Sequence, residues 1–441
     1  MAGRRGGAPA SESLPPPVAA TLSTRPQQSP VTTVLNDDDL LREILFRLAF
    51  PISIIHAALV CKRWLGITSD LAFLRRFRKL HPPLLGFYLK CWGLPFMKFV
   101  AMPGTNELSA ILCRAHSVFD RYSNTNMWGL HFHSRNGRLL AKFHGPDSAI
   151  GVVLSPLNLQ SNTVTLPPLP FLGQEVGMTI YPLGYLLNDQ ACFSAVLVFG
   201  QELTIVHLFE LIDGVWQNHT LSAIEDCPVS CAGIKTLLTN HRLYIISSKD
   251  KILVLDFMSL VLSVIKLPEE VECKHNLRLS QADDAGFNLV HVKELELRVW
   301  LYTHGTDNSG LGGYWLLVHT ICLREVSTNF RMSNLVPENR QSSIVKLHAV
   351  GDNAEFVVLE ICRAVVYLDI TSRAAEKLYT LAPDDGDIFR IHPFMMTWPP
   401  TFPCNQRKTG PKGVMQPESQ GDASPSRSVF EMAGSKRMRT G

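Results

Sequence analysis

Long hydrophobic runs are missing from this chain of 441 residues, and no stretch reaches the roughly 18 apolar positions that a membrane helix needs. The N-terminus carries Arg4 and Arg5, then runs through Ala, Ser and Pro to Pro15-Pro16-Pro17 without the apolar block of about 7–15 residues that marks a secretory leader. A soluble protein with no membrane partner is expected. An excess of charge of one sign is missing as well: 42 Lys and Arg stand against 39 Asp and Glu, a net +3, so little long-range field draws the molecule onto phosphates. Nucleic acid is not an expected partner. Neither common phosphate-loop pattern occurs, and the densest glycine cluster, Gly310-Leu311-Gly312-Gly313, has no helical pattern behind it and reads as a hairpin loop. The ten cysteines lack metal-ligand spacing: Cys227 and Cys231 have no second pair, and His131 and His133 alternate on a strand-like run without a third ligand. They read as reduced, mostly buried intracellular thiols. With no Gly-x-Ser-x-Gly elbow and no His-Glu-x-x-His, the chain offers no catalytic residue, no metal site and no cofactor, and is not expected to be an enzyme.

What is present is enough to fold. Apolar residues make up 46%, aromatics 9% and charged residues 18%, which supplies a core and excludes wholesale disorder. Residues 1–33, rich in Pro, Gly, Ser and Thr, and residues 403–441, which end in the basic cluster Lys436-Arg437-Met438-Arg439, read as disordered tails. That cluster reads as a solvated tail or a nuclear-import signal, so nucleus and/or cytoplasm is the expected location.

Residues 34–82 have helical spacing. Asp37-Asp38-Asp39 stands where a helix N-cap belongs, and Leu40, Leu41, Ile44, Leu45 and Leu48 fall within an arc of roughly 140°. Pro51 stops this helix, and Ser53 caps a second that runs from Ile54 to Leu65, apolar nearly all round and carrying Val60, Cys61 and Trp64. A third opens at Asp70 with Leu71, Phe73, Leu74, Phe77 and Leu80, and ends before Pro82-Pro83. So small a unit cannot hide all this apolar surface, which either meets a partner or packs on the rest of the chain.

Residues 84–402 are strand-like, with short runs rich in Val, Ile, Leu, Phe and Tyr and no long helical pattern between them. The runs are Ala195–Phe199, Leu203–Leu211, Arg242–Ile246, Ile252–Leu255, Val299–Tyr302, Tyr314–Ile321, Phe356–Ile361 and Val365–Leu368. Ile252–Ser259 parallels Val365–Ser372, each with Asp-x-x-Ser at its end, and Val153–Ser155 fits the same frame. Intermediate candidates at Val206–Trp216 and Trp315–Glu325 halve the repeat to about 50 residues, the size of a propeller blade. The expected fold class is α+β multidomain: a small all-α helical unit, then a large all-β domain, a β-propeller of about six blades, with a pair of β-sandwiches as the alternative.

The segment Leu40-Leu-Arg-Glu-Ile-Leu-Phe-Arg-Leu48, then Pro51, then Ala58-Leu-Val-Cys-Lys-Arg-Trp64 and Asp70-Leu-Ala-Phe73 resembles an F-box, the adaptor-binding motif of Skp-cullin-F-box ubiquitin ligases. The stretch from Phe73 to Tyr88 further resembles plant, especially grass, F-box proteins, and Asn136–Leu140, Ser155-Pro156 and Leu166-Pro-Pro168 are similar to the early blades of their F-box-associated β-propeller. The resemblance implies that Leu40, Leu41, Ile44, Leu45, Leu48, Pro51, Val60, Cys61 and Trp64 pack within the box or against a Skp-type adaptor. It implies a non-catalytic receptor subunit, joined through the adaptor to a cullin, whose β domain captures a protein substrate. In place of the motif's usual opening Leu-Pro stands Leu35-Asn36, so a scaffold with a degenerate box is the rival reading, and a propeller-type enzyme a third. Trp128, His131, Trp216 and Trp315 are candidates for loop contacts to a substrate, with packing as their plainer role.

Overall fold

Asp37 caps the main helix of the N-terminal unit as the spacing requires, its carboxylate accepting from the backbone N–H groups of Asp39 and Leu40. The computed structural model describes residues 30–402 apart from positions 49, 93, 95, 136 and 401 and the stretches 104–107, 124–127, 145–148, 158–162, 169–178, 187–191, 200–202, 221–223, 226–234, 248–249, 272–275, 283–285, 305–312 and 327–344. The C-terminal tail, Cys227, Cys231 and Gly310 to Gly312 lie outside the described residues.

Five short helices form the unit: α1 (Pro30–Asn36), α2 (Asp38–Phe46), α3 (Pro51–Ala58), α4 (Lys62–Thr68) and α5 (Leu71–Leu80). Two expectations need correction here. Helix α1 begins inside the stretch 1–33 read as a disordered tail, with Pro30 at a position where its missing N–H costs nothing, and Arg63 holds its end by donating to the Leu35 carbonyl at 2.6 Å. The single helix expected from Ile54 to Leu65 is two. Phe50, not Ser53, is the N-cap of α3, Pro51 opens that helix rather than ending α2, and the chain turns extended at Cys61 before α4. An apolar wheel all round therefore reflected two short helices buried on different sides. Asp70 caps α5 through the Phe73 N–H at 3.0 Å, as expected.

The β domain opens with β1 (Leu84–Cys91) and β2 (Lys98–Ala101), followed by helices α6 (Ser109–Ser117) and α7 (Asp120–Ser123), which the strand-like reading of 84–402 missed. Four antiparallel strands in sequence then build each of five blades. These are β3 (Trp128–Arg135) to β6 (Val164–Leu166) through β4 (Arg138–His144) and β5 (Ala149–Leu154); and β7 (Thr179–Leu186), β8 (Cys192–Phe199), β9 (Leu203–Ile212) and β10 (Val215–Thr220), with a short β11 (Ile224–Glu225) also on β9. Next come β12 (Thr236–Thr239), β13 (Arg242–Ile246), β14 (Lys251–Asp256) and β15 (Val261–Lys266), then β16 (Leu277–Gln281), β17 (Phe287–Lys293), β18 (Glu296–His304) and β19 (Gly313–Cys322). The fifth is β20 (Val345–Val350), β21 (Phe356–Ile361), β22 (Ala364–Asp369) and β23 (Ala375–Thr380). The last strand, β24 (Ile388–Met395), pairs with β1, so a three-stranded sheet, β2-β1-β24, joins the two ends of the domain.

The fold is a β-propeller with five complete blades, not about six. Dividing the strand-rich length by a repeat of about 50 residues miscounts because the closing sheet borrows strands from both ends and α6 lies against β2 at its outer edge. Contacts between neighbouring sheets run through β24 and the first strands of the blades: β24 with β3 and β20, β3 with β7, β16 with β12 and β20. These strands line the axis. The core fills the layers between blades: Val290, Leu297, Leu347 and Val357 in one, Tyr244, Leu279, Phe287 and Trp300 in the next, and Phe87, Phe356, Val358 and Ile391 where the ends meet.

All eight strand runs read from the sequence are strands, and the repeat frame is correct, since β5, β14 and β22 are each the third strand of a blade. Asp256 ends β14 by accepting from the N–H groups of Met258 and Ser259, and Asp369 ends β22 by accepting from Ser372. Of the intermediate candidates, Val206–Trp216 is a third-to-fourth-strand hairpin turned by Asp213-Gly214 at positive φ, whereas Trp315–Glu325 starts in a fourth strand and is out of frame.

Candidate functional site

The apolar residues of α2 divide by environment. Leu41 and Leu45 are 0% and 1% exposed and fill the helical core, whereas Leu40 and Ile44, one turn apart on the opposite side of the stripe, are 48% and 41% exposed. Pro51 is buried at the start of α3, and Leu48 and Trp64 are half-buried. Val60 is 63% exposed, and Cys61 beside it is exposed. Of the nine residues singled out by sequence, Leu41, Leu45 and Pro51 therefore serve the unit's own core, and Leu40, Ile44, Val60 and Cys61 face outward.

On the first turn of α4, the Arg63 Nε donates to Asp38 at 2.7 Å, which ties α4 to the first turn of α2. Further exposed apolar residues that sequence reasoning did not single out include Leu59 at 62% and Leu71 at 69%. Leu59 was hidden by the one-helix reading, because only the break between α3 and α4 turns it to solvent.

Behind this surface the unit is fixed to the propeller. Phe46 and Phe73 stack at 4.5 Å with Arg76 over the Phe46 ring, Arg76 also pairs with Glu43 at 3.0 Å, and Phe77 stacks on Trp398. Arg78 on the same helix reaches the β20–β21 connection, pairing with Asp352 at 2.9 Å and Glu355 at 3.3 Å. Burial opposes its charge, yet the Asp352 and Glu355 carboxylates raise it above the ordinary arginine value.

Beneath α5 lies a cavity of about 280 Å³, lined by His133, Thr236, Gln281, Pro393, Met395 and Trp398 among others. Farther along the axis, Arg278 on β16 donates from Nε to the His348 carbonyl at 3.0 Å and from Nη1 to the Leu277 carbonyl at 2.9 Å. His348 and Glu360 lie 2.8 Å apart, and Lys346 adds a second contact to Glu360 at 3.3 Å. These contacts hold Glu360 below the usual carboxylate range although burial opposes them, while burial depresses His348.

Trp216 and Trp315 have packing roles. Trp216 donates its indole N–H to Pro167 at 2.9 Å and Trp315 to Lys266 at 2.8 Å, each tying a fourth strand to the blade before it. The side chains of Trp128 and His131 lie outside the described residues. The cysteines depart from expectation: of those described as free, Cys61, Cys113 and Cys322 are exposed and only Cys91 is buried, because they occupy a helix cap, a small surface helix and the end of an outermost strand. Among the described residues no three His, Cys, Asp or Glu side chains gather as metal ligands, and no helix is long and apolar enough to cross a membrane.

The model of the family described as "F-box protein AT5G49610-like, beta-propeller" matches residues 132–402. The chain belongs to that family. The match spans all five complete blades save the first residues of β3, and the closing strand β24. No curated protein matches the sequence. Among solved structures the chain is similar to a protein from Lactobacillus plantarum, at 12% identity over 68% of this chain and 82% of that one, TM-score 0.35. It is also similar to the Cps50 (Swd1) β-propeller domain of Myceliophteria thermophila, at 9% identity over 58% and 87%, TM-score 0.33. Neither likeness is close enough to carry function.

Proposed function

We propose that this member of the F-box propeller family is the substrate-recognition subunit of a Skp-cullin-F-box ubiquitin ligase. The observation that carries the reading is the family match over 132–402 behind a helical unit that exposes Leu40, Ile44, Leu59, Val60 and Cys61. Exposed apolar side chains on so small a unit are characteristic of a protein interface. These side chains dock on a Skp-type adaptor, and through it on a cullin, while the propeller holds a protein substrate. Catalysis stays with the partner enzymes. The receptor acts by proximity, raising the effective concentration of a substrate lysine near the charged conjugating enzyme, and does so in the nucleus and/or cytoplasm. A helical unit fixed to the propeller through Arg78 and Phe77 suits that task, because a stiff spacer holds the substrate at a set distance.

The test is co-purification of the full chain with a Skp-type adaptor, beside a chain lacking residues 34–82. Adaptor capture that depends on the segment is the expected result; equal capture by both chains, or by neither, refutes the reading. One observation favours the scaffold alternative: Leu35-Asn36, at the place of the motif's Leu-Pro, closes a helix, α1, whose Leu35 carbonyl is engaged by Arg63. Capture of a protein partner by a chain that binds no adaptor is the outcome that selects it.

A further inference from the structure

The cavity beneath α5 gathers hydrogen-bonding residues from three blades. Ser134 stands on β3, Thr236 on β12 and Gln281 on β16, each the first strand of its blade, and all three line the cavity. Their backbones are fixed in the strand ladders, opposite Leu139, Ile245 and Phe287. All three are half-buried, yet among the described residues no hydrogen bond uses either hydroxyl or the carboxamide. Gln281 accepts from Asn288 at 3.3 Å through its backbone carbonyl, which leaves the side chain without a partner. Polar groups half-withdrawn from solvent and left unpaired by the protein turn to water or to a ligand.

The rest of the wall favours a ligand. Met395, Met396 and Trp398, whose ring stacks on Phe77, line the same cavity and offer apolar surface that water leaves poorly covered. Arg78 and Asp352, also on the wall, are paired with each other at 2.9 Å, so neither charge is free for an ion. Apolar walls with a few fixed polar groups are the make-up of a small-molecule site, and about 280 Å³ lies near the small end of the roughly 300–1,000 Å³ of such pockets. We propose that this cavity binds a compact uncharged ring compound bearing an amide or a hydroxyl group, its ring against Trp398 and the two methionines and its polar end against Gln281, Thr236 and Ser134. A carboxamide presents donor and acceptor together, the complement of an amide on the ligand. The site does not depend on adaptor docking, so its failure and the failure of the ligase reading are separate results.

Nuclear magnetic resonance of the full chain, labelled at its methionine methyl groups, tests it with benzamide as the probe and benzoate as its charged twin. Benzamide should shift the Met395 and Met396 signals saturably, with a Kd of about 1 mM or tighter, and leave that of Met258, exposed on the β14–β15 turn, in place. Benzoate should bind at least about tenfold more weakly, because its charge finds no free partner. Gln281→Leu removes donor and acceptor together and breaks no hydrogen bond within the protein, so it should weaken benzamide at least about fivefold at an unchanged melting temperature. If that variant melts lower, Thr236→Val, close in shape to the parent, decides, with at least about threefold weakening expected. No saturable shift at Met395 or Met396 overturns the proposal and assigns the cavity to water. So does benzoate that binds as tightly as benzamide, or benzamide binding that the substitutions leave unchanged.

Discussion

Arg78 and Asp352 stand 274 positions apart in the chain and 2.9 Å apart in space, and Glu355 completes the clamp. The side chains of Arg78 and Glu355 are only 16% and 20% exposed, so removing the cation strands a carboxylate that burial already pushes above its usual range. Arg78→Met should cost about 2–4 kcal/mol, somewhat under the roughly 3–5 of a fully buried pair because Asp352 is partly solvated. Denaturant melts would measure it. Limited proteolysis should then cut first near the α5–β1 junction; an unaltered cleavage pattern would show that the clamp is dispensable.

Leu40 and Ile44 are separable from Leu45 by experiment. The double change Leu40→Asp and Ile44→Asp alters exposed positions and should leave the melting temperature nearly unchanged while weakening adaptor capture by at least about tenfold. Leu45→Ala empties a fully packed position and should cost about 2–5 kcal/mol. A double variant that melts normally and still captures the adaptor places the interface elsewhere.

Cys61 reports on the same helical unit without any substitution there. Exposed Cys61, Cys113 and Cys322 should react with a thiol reagent well before Cys91, whose buried thiol is pushed up by burial and by the nearby Asp385 and Glu360. Adaptor binding should protect Cys61 and leave Cys113 and Cys322 reactive. Mass spectrometry of the labelled peptides distinguishes this from general protection.

His392 and His348 set an acid limit. Both have folded values below the ordinary 6.5, His392 far below, with burial as the leading cause. A group depressed in the folded state binds its proton more readily when unfolded, so the stability it contributes is present above pH 6.5 and is lost as pH falls through the folded value. Melting temperature should decline steadily from about pH 6.5 downward, and His392→Gln should flatten that decline. A variant with the slope of the parent chain would remove His392 from the account.

Much of this was legible in the residues. Short runs rich in Val, Ile, Leu, Phe and Tyr located eight strands, and Asp256 and Asp369 marked the same turn in two blades, because a third strand that ends in Asp-x-x-Ser closes on its own backbone. Cap residues Asp37 and Asp70 located two helix starts by local chemistry alone. Inferences from apolar wheel positions failed, as did the blade count and the expected burial of the cysteines. Leu40 and Leu41 are adjacent and equally apolar, and nothing local tells which is covered.

The sequence by itself determined the local units: helix caps, strand runs, turn residues and the blade repeat, all set by interactions within a few residues of one another. Only the tertiary structure decided what those units meet. Closure of β24 on β1 left five complete blades and a three-stranded seam, the turn at Leu59–Cys61 moved Leu59 and Val60 to the surface, and Arg78 met Asp352 across 274 positions. Each joins residues tens to hundreds of positions apart, and burial and charge at such sites depend on distance in space, which chain order does not encode.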